Sequence, residues 1–160
     1  IKIGVKNYPE GKYEGELVNN MREGKGKFYY INNEKYMGKI YIGEWKNDLR
    51  NGKGVETWND GERFVGNFKN DKREGYGIYY YSNGDIYEGN YKNGKTEGFG
   101  VEYYSNGDKY EGRFKNGNKE GQGVYYFENG NREIGYYHNN ESIGKAVLLT
   151  VNNEIEIINY

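Results

Sequence analysis

Apolar and polar residues alternate with a period of two along most of this chain, and the alternation breaks at short runs of Asn, Gly, Asp and Ser. Period two is the mark of strands with one face turned to a packed layer. Val101-Glu102-Tyr103-Tyr104 and Tyr110-Glu111-Gly112-Arg113-Phe114 show it, in the aromatic and β-branched residues that suit a pleated surface. Between them, Ser105-Asn106-Gly107 predicts a tight hairpin turn, because Asn-Gly accepts positive φ. Ser82-Asn83-Gly84, Glu128-Asn129-Gly130 and Asn59-Asp60-Gly61 predict the same. The other kind of connection, such as Asn93-Gly94-Lys95-Thr96-Glu97, reads as a polar loop ending at a glycine pair. No apolar stripe of 3.6-residue period is long enough for a helix.

The alternation is packaged in a block that returns every 23 residues. Four units align without a gap: Tyr41–Arg63, Phe64–Ile86, Tyr87–Lys109 and Tyr110–Arg132. Position 1 holds Tyr41, Phe64, Tyr87 and Tyr110, position 3 holds Gly43, Gly66, Gly89 and Gly112, and position 5 holds Trp45, Phe68, Tyr91 and Phe114. Positions 12 and 14 are paired glycines: Gly52/Gly54, Gly75/Gly77, Gly98/Gly100 and Gly121/Gly123. Residues 1–12 read as part of a preceding unit, 13–40 as an irregular unit, and 133–160 as a degenerate capping unit. The irregular unit carries five extra residues and a doubled restart, Tyr36-Met37-Gly38 before Tyr41-Ile42-Gly43, which predicts a bulge or small loop. The last unit keeps Gly135 and Gly144 but has Ala146 for the second glycine of the pair. A fixed period of this length predicts a stacked array whose units complete one another. Positions 1, 3 and 5 share a face with 14, 16 and 18, so position 18 adds Trp58, Tyr81, Tyr104 and Phe127 to an aromatic face. Val55, Ile78, Val101 and Val124 fall on the opposite face. The expected fold is all-β: an elongated, twisted, single-layer antiparallel sheet of stacked 23-residue hairpins.

Composition changes this picture little. Of 160 residues, 20 are Tyr and 26 are Gly, while hydrophobic content is only 34%, too low for a layered core. Strict periodicity and abundant aromatics argue against disorder. Without cysteine there is neither a disulfide framework nor a thiolate metal site. The longest apolar run, Ala146–Val151, is too short to span a bilayer, and no signal peptide is evident. The chain opens at Ile1 in mid-repeat, as expected of a piece of a longer protein.

The register Tyr-Glu-Gly-x-aromatic-Lys-Asn-Gly…Glu-Gly-x-Gly…Asn-Gly-Asp, clearest in Tyr87–Lys109 and Tyr110–Arg132, resembles MORN (membrane occupation and recognition nexus) repeats from end to end. The resemblance implies a single-layer β rod that scaffolds partner proteins, binds helices in a groove, or contacts phospholipid. It also implies a cytoplasmic setting on the cytoskeleton, a cilium or the inner face of a membrane. Such arrays also serve as targeting modules of lipid kinases and lysine methyltransferases.

Catalytic chemistry has little support in the residues. Gly89–Thr96 satisfies the phosphate-loop expression G-x-x-x-x-G-K-[ST], but Gly89–Lys92 is predicted strand where that chemistry needs a loop before a helix. His138 is the only histidine, and the carboxylates recur with the repeat as solvated positions. Asn140-Glu141-Ser142 is a glycosylation sequon only in a secreted chain. We therefore expect no enzyme activity, cofactor or metal. The aromatic face is the stronger candidate, since broad rings at low entropy cost make contact hot spots. The predicted partner-binding residues are Tyr41, Trp45, Trp58, Phe64, Phe68, Tyr81, Tyr87, Tyr91, Tyr104, Tyr110, Phe114 and Phe127, receiving a helix or peptide. The alternative is closure of the rings on themselves. A second candidate is contact of Lys69, Lys72, Arg73, Lys92, Lys95, Lys115 and Lys119 with anionic lipid. At about 1 kcal/mol per basic residue, and with a net charge of −1, that contact would be weak. The same charge argues against nucleic acid. The apolar C-terminal hairpin, Ala146–Val151 with Ile155–Ile158, is a candidate homodimer surface.

Overall fold

The computed structural model describes residues 2–31 and 38–160. Tyr36 and Met37 of the doubled restart therefore lie outside the described residues. Fourteen strands and no helix occur among the described residues, arranged in two compact units of seven strands each. Ile1–Ser82 contains β1 (Lys2–Tyr8), β2 (Gly11–Val18), β3 (Met21–Tyr30), β4 (Ile40–Lys46), β5 (Leu49–Thr57), β6 (Arg63–Lys69) and β7 (Lys72–Tyr80). Asn83–Tyr160 contains β8 (Ile86–Lys92), β9 (Lys95–Tyr103), β10 (Lys109–Lys115), β11 (Asn118–Tyr126), β12 (Arg132–His138), β13 (Glu141–Leu149) and β14 (Ile155–Asn159). Within each unit every strand pairs antiparallel with the next in sequence. The expected all-β fold of stacked hairpins is therefore observed.

The two kinds of connection differ from the sequence expectation. What reads as a polar loop is a two-residue turn of I′ geometry, with both central residues at positive φ: Asn47 and Asp48 at 50° and 63°, Asn93 and Gly94 at 51° and 85°. The next strand then starts at once, β9 at Lys95. The Ser-Asn-Gly connection is the longer one. Tyr104 N–H donates to Asp108 O at 3.0 Å and Gly107 N–H to Tyr104 O at 3.0 Å, with Gly107 at φ 94°. That is a three-residue loop closed by a left-handed glycine.

Register explains the glycine pair. Gly43 lies opposite Gly54, but Trp45 lies opposite Arg50, so Asn51–Lys53 bulge out against Glu44. Gly52 takes the positive φ of 105° that this bulge requires. Gly54 has another task. The Tyr41 ring lies flat over Gly43 and Gly54, and a Cβ on Gly54 would stand 2.6 Å from Tyr41 Cζ. The hydroxyl passes beyond the glycines and donates to Glu44 O at 3.0 Å. Tyr13, Tyr87 and Tyr110 repeat this bond to Glu16, Asn90 and Arg113 carbonyls at 2.8, 3.1 and 3.4 Å.

Candidate functional site

Rings at positions 1 and 5 interlock edge to face. In the first unit, Tyr41 meets Trp45 of its own repeat at 5.2 Å and 90°, and Phe68 of the next repeat at 5.1 Å and 83°. In the second unit, Tyr87 meets Tyr91 at 5.4 Å and Phe114 at 5.0 Å, both at 85°. Each such pair adds about 0.5–1.5 kcal/mol beyond the area it buries. Eight of the predicted partner-binding residues belong to this ladder and are buried: Tyr41, Trp45, Phe64, Phe68, Tyr87, Tyr91, Tyr110 and Phe114, none more than 5% exposed. They hold the sheet together. The other four, all at position 18, remain reachable: Trp58, Tyr104 and Phe127 are half-buried and Tyr81 is exposed.

Position 18 rings lean on position 16, the row beside the ladder. Trp58 is 5.8 Å from Tyr79, and Tyr79 is 4.5 Å from Tyr81. In the second unit Tyr104 stacks on Tyr125 at 5.8 Å and 25°, and Tyr125 is 4.9 Å from Phe127. Each unit thus presents an aromatic margin along one side of its buried ladder.

Charged residues lie under that margin. Glu56, at position 16 and 2% exposed, stands where Phe28 and Tyr79 stand in adjacent repeats. Lys39 Nζ pairs with its carboxylate, together with Arg50 at 2.5 Å and Arg73 at 2.8 Å. Burial alone would raise the Glu56 pKa, but Lys39, Arg73 and Arg50 outweigh it and hold the group below its usual range. The guanidiniums also cover rings: Arg73 lies 4.5 Å from the Phe64 centroid and Arg50 5.1 Å from Phe68. In the second unit Glu102 takes the same row position, bonded by Lys119 at 3.0 Å and by the Tyr104 hydroxyl at 2.5 Å. Burial and the Glu102 bond push the Tyr104 pKa up.

This arrangement changes the reading of the basic residues. Lys69, Lys72, Lys92, Lys95 and Lys115 are exposed beside the two-residue turns. Arg73 and Lys119 are turned onto the ring face and paired with glutamates, so the seven do not form one solvated column. Sequence reasoning missed the Glu56 cluster. Its signal was the position 16 alternation Phe28, Glu56, Tyr79, Glu102, Tyr125, beside a basic position 10 in Arg22, Arg50, Arg73 and Lys119. Gly89–Lys92 is strand, followed by the two-residue turn, so the phosphate-loop expression has no loop or helix to support it. His138 is exposed and lies 3.1 Å from Glu120. Among the described residues no group of three or more His, Cys, Asp or Glu is placed to hold a metal.

No curated protein matches the chain. Among solved structures, the TCP10 domain of Danio rerio CPAP in complex with a STIL peptide is 10% identical, with a TM-score of 0.53 over 99% of this chain and 84% of that one. The TCP domain of Drosophila melanogaster SAS-4 (dCPAP), in complex with a proline-rich motif of Ana2 (dSTIL), is 16% identical, with a TM-score of 0.48 over 85% and 84%. At these identities the Danio rerio likeness speaks to fold alone. The model of the MORN repeat matches five times, at residues 13–35, 41–63, 64–86, 87–109 and 110–132. Five matches over most of the chain, the last four in one unbroken register, place this protein in the MORN-repeat family.

Proposed function

We propose that the protein is a non-catalytic repeat scaffold that binds a peptide or helix of a partner protein along the aromatic margin of the ring face in each of its two compact units. The observation that carries this reading is the split among the rings: positions 1 and 5 are buried, whereas Trp58, Tyr81, Tyr104 and Phe127 keep reachable faces. Half-exposed aromatics beside a rigid sheet offer contact area at little entropy cost, which is the chemistry of hot spots. The Danio rerio domain of similar fold is complexed with a peptide of another protein, which supports the same use here. A cytoskeletal or membrane-cortex setting, and service as the targeting module of a larger protein, accord with this reading.

Affinity capture from cells with the wild type and with a Trp58→Ala/Tyr81→Ala/Tyr104→Ala/Phe127→Ala variant tests it. All four side chains lie outside the buried ladder, so the variant should fold, as circular dichroism will show. The expected result is loss of the captured partner. Undiminished capture by the folded variant would refute the proposal.

A further inference from the structure

The opposite face of Ile1–Ser82 carries a second surface that the aromatic margin does not explain. Strand register sets Ile42 opposite Val55, Val55 opposite Val65, and Val65 opposite Ile78, giving one apolar side chain on each of β4 to β7. Tyr76, 49% exposed, borders the row, and Ile42 is 51% exposed. Together with the bare backbones of Gly54 and Gly66 they line a shallow depression of about 360 Å³. The fold does not demand this chemistry. At the same repeat position as Ile42 and Val65 the chain has Glu14, Glu88 and Glu111, and at the position of Tyr76 it has Lys25, Lys53 and Gln122, with an aromatic again only in Phe99. In Asn83–Tyr160 the equivalent row alternates Glu88, Val101, Glu111, Val124 before turning apolar at Ile134 and Val147.

We infer that this face docks an amphipathic α-helix of a partner protein, laid across the strands with acidic residues flanking its apolar stripe. Spacing favours a helix. Cross-strand neighbours stand about 4.5–5.5 Å apart, so four strands span roughly 15 Å. Residues i, i+4, i+7 and i+11 of a helix advance about 6, 10 and 16 Å at 1.5 Å per residue, so each meets one strand. Charge sets the flanks. Lys53 lines the depression on one side, and Arg63, paired across the ladder with Thr57 and Tyr80, lies on the other. Neither forms an ion pair among the described residues, and Arg63 only approaches the Tyr80 ring, at 5.9 Å. Glu44 borders the same face at the bulge, where its carboxylate lies over Gly52. The open cations are therefore the ones that a partner's carboxylates would meet.

The test uses the whole 160-residue protein and a fluorescent helical peptide of about 18 residues. Its leucines occupy i, i+4, i+7 and i+11, with glutamates beside the stripe. Controls are a lysine-flanked version and a version interrupted by proline. The expected result is saturable binding by anisotropy, with amide shifts confined to β4–β7. Val65→Glu, which copies the residue of three other repeats, should weaken it at least about tenfold, as should Ile42→Glu. The Trp58→Ala/Tyr81→Ala variant should leave it unchanged, which separates this surface from the aromatic margin. The inference is overturned by no binding, by equal binding of the lysine-flanked or proline-interrupted peptide, or by indifference to both glutamate variants. Self-association of the protein that Val65→Glu abolishes would overturn it too, in favour of a second copy as occupant.

Discussion

Gly54→Ala isolates the contact on which the repeat depends. Gly54 has no positive φ, so an alanine there carries no backbone strain, and strand propensity alone would make it stabilising by about 0.5–1 kcal/mol. The new Cβ, however, would stand 2.5 Å from the Tyr41 hydroxyl and 2.6 Å from Cζ, distances that no relaxed structure holds. The ring must lift, and Tyr41 is fully buried, wedged edge to face between Trp45 and Phe68. Overpacking of this kind costs about 1–3 kcal/mol, and a ring driven from its site approaches the 3–5 kcal/mol of an aromatic-to-alanine truncation. We expect Gly54→Ala to destabilise the first unit by about 2–4 kcal/mol. In a Tyr41→Ala background the same substitution should be neutral or stabilising, so the two sites couple by about as much. The chain's only two tryptophans, Trp45 and Trp58, both lie in Ile1–Ser82, so fluorescence in a urea titration reads that unit even if a repeat array unfolds in parts. Equal losses from Gly54→Ala in both backgrounds would refute the ring-on-glycine argument. A Gly54→Ala protein as stable as the wild type would do the same.

Three further expectations follow from the same geometry. Glu56→Gln leaves Lys39, Arg50 and Arg73 without their shared counter-charge and should cost about 3–5 kcal/mol by urea denaturation at pH 7, and a loss below 1 kcal/mol would show that the cluster is solvated. Because the folded state holds the Glu56 pKa down, its contribution is complete above the unfolded value of about 4.3 and fades as pH falls through the lower folded value; the wild type but not Glu56→Gln should lose this increment below about pH 4.3. At the other extreme, burial pushes the Tyr13 pKa up to about 12 and also raises those of Tyr41 and Tyr110, so the unfolded chain releases these protons first. Stability should therefore fall above about pH 10, by up to 1.4 kcal/mol per pH unit for each such Tyr, and tyrosinate absorbance should rise together with loss of the circular dichroism signal. Finally, Gly98 sits in its bulge at φ 77°, so Gly98→Ala should cost about 1–2 kcal/mol in thermal unfolding and Gly98→Asn less, the ranking being the decisive measurement.

Much of the fold was legible because every level of the pattern agreed. Period two assigned positions 1, 3, 5, 14, 16 and 18 to one face, and the observed pairing of Gly43 with Gly54 and of Tyr41 with Glu56 puts them there. The turns were harder to read, because Asn-Gly occurs at both connections, as Asn83-Gly84 and Asn93-Gly94. A dipeptide that tolerates positive φ does not reveal whether one or both residues adopt it, and only the ladder register decides. Where the short turn is Asn47-Asp48 or Asn70-Asp71, left-handed Asp disguises it as loop. Period two also names a face without saying what covers it. Rings from successive repeats cover one another at right angles, so most of the row that reads as a binding face is interior. Glu56 was illegible for a related reason: a lone Glu in an aromatic row looks solvated until Arg50, Arg73 and Lys39 are brought to it from three different strands or turns.

Variation among the repeats separates what the sheet requires from what it only accepts. The glycine at position 14 gives way once, to Ala146, and in that unit position 1 is Glu133, which lays no ring across the sheet. The two changes go together for the steric reason that Gly54→Ala tests. Position 16 exchanges Phe28, Glu56, Tyr79, Glu102 and Tyr125, provided that a glutamate brings its cations. Position 18 behaves differently. It is aromatic in Tyr8, Tyr30, Trp58, Tyr81, Tyr104 and Phe127, yet none of these six is buried. Sheet packing accounts for a ring that is covered, as at positions 1 and 5. It gives much less reason to keep a large ring half wet through six successive units, and the partner proposed above, by covering those rings, would supply the missing part of the reason.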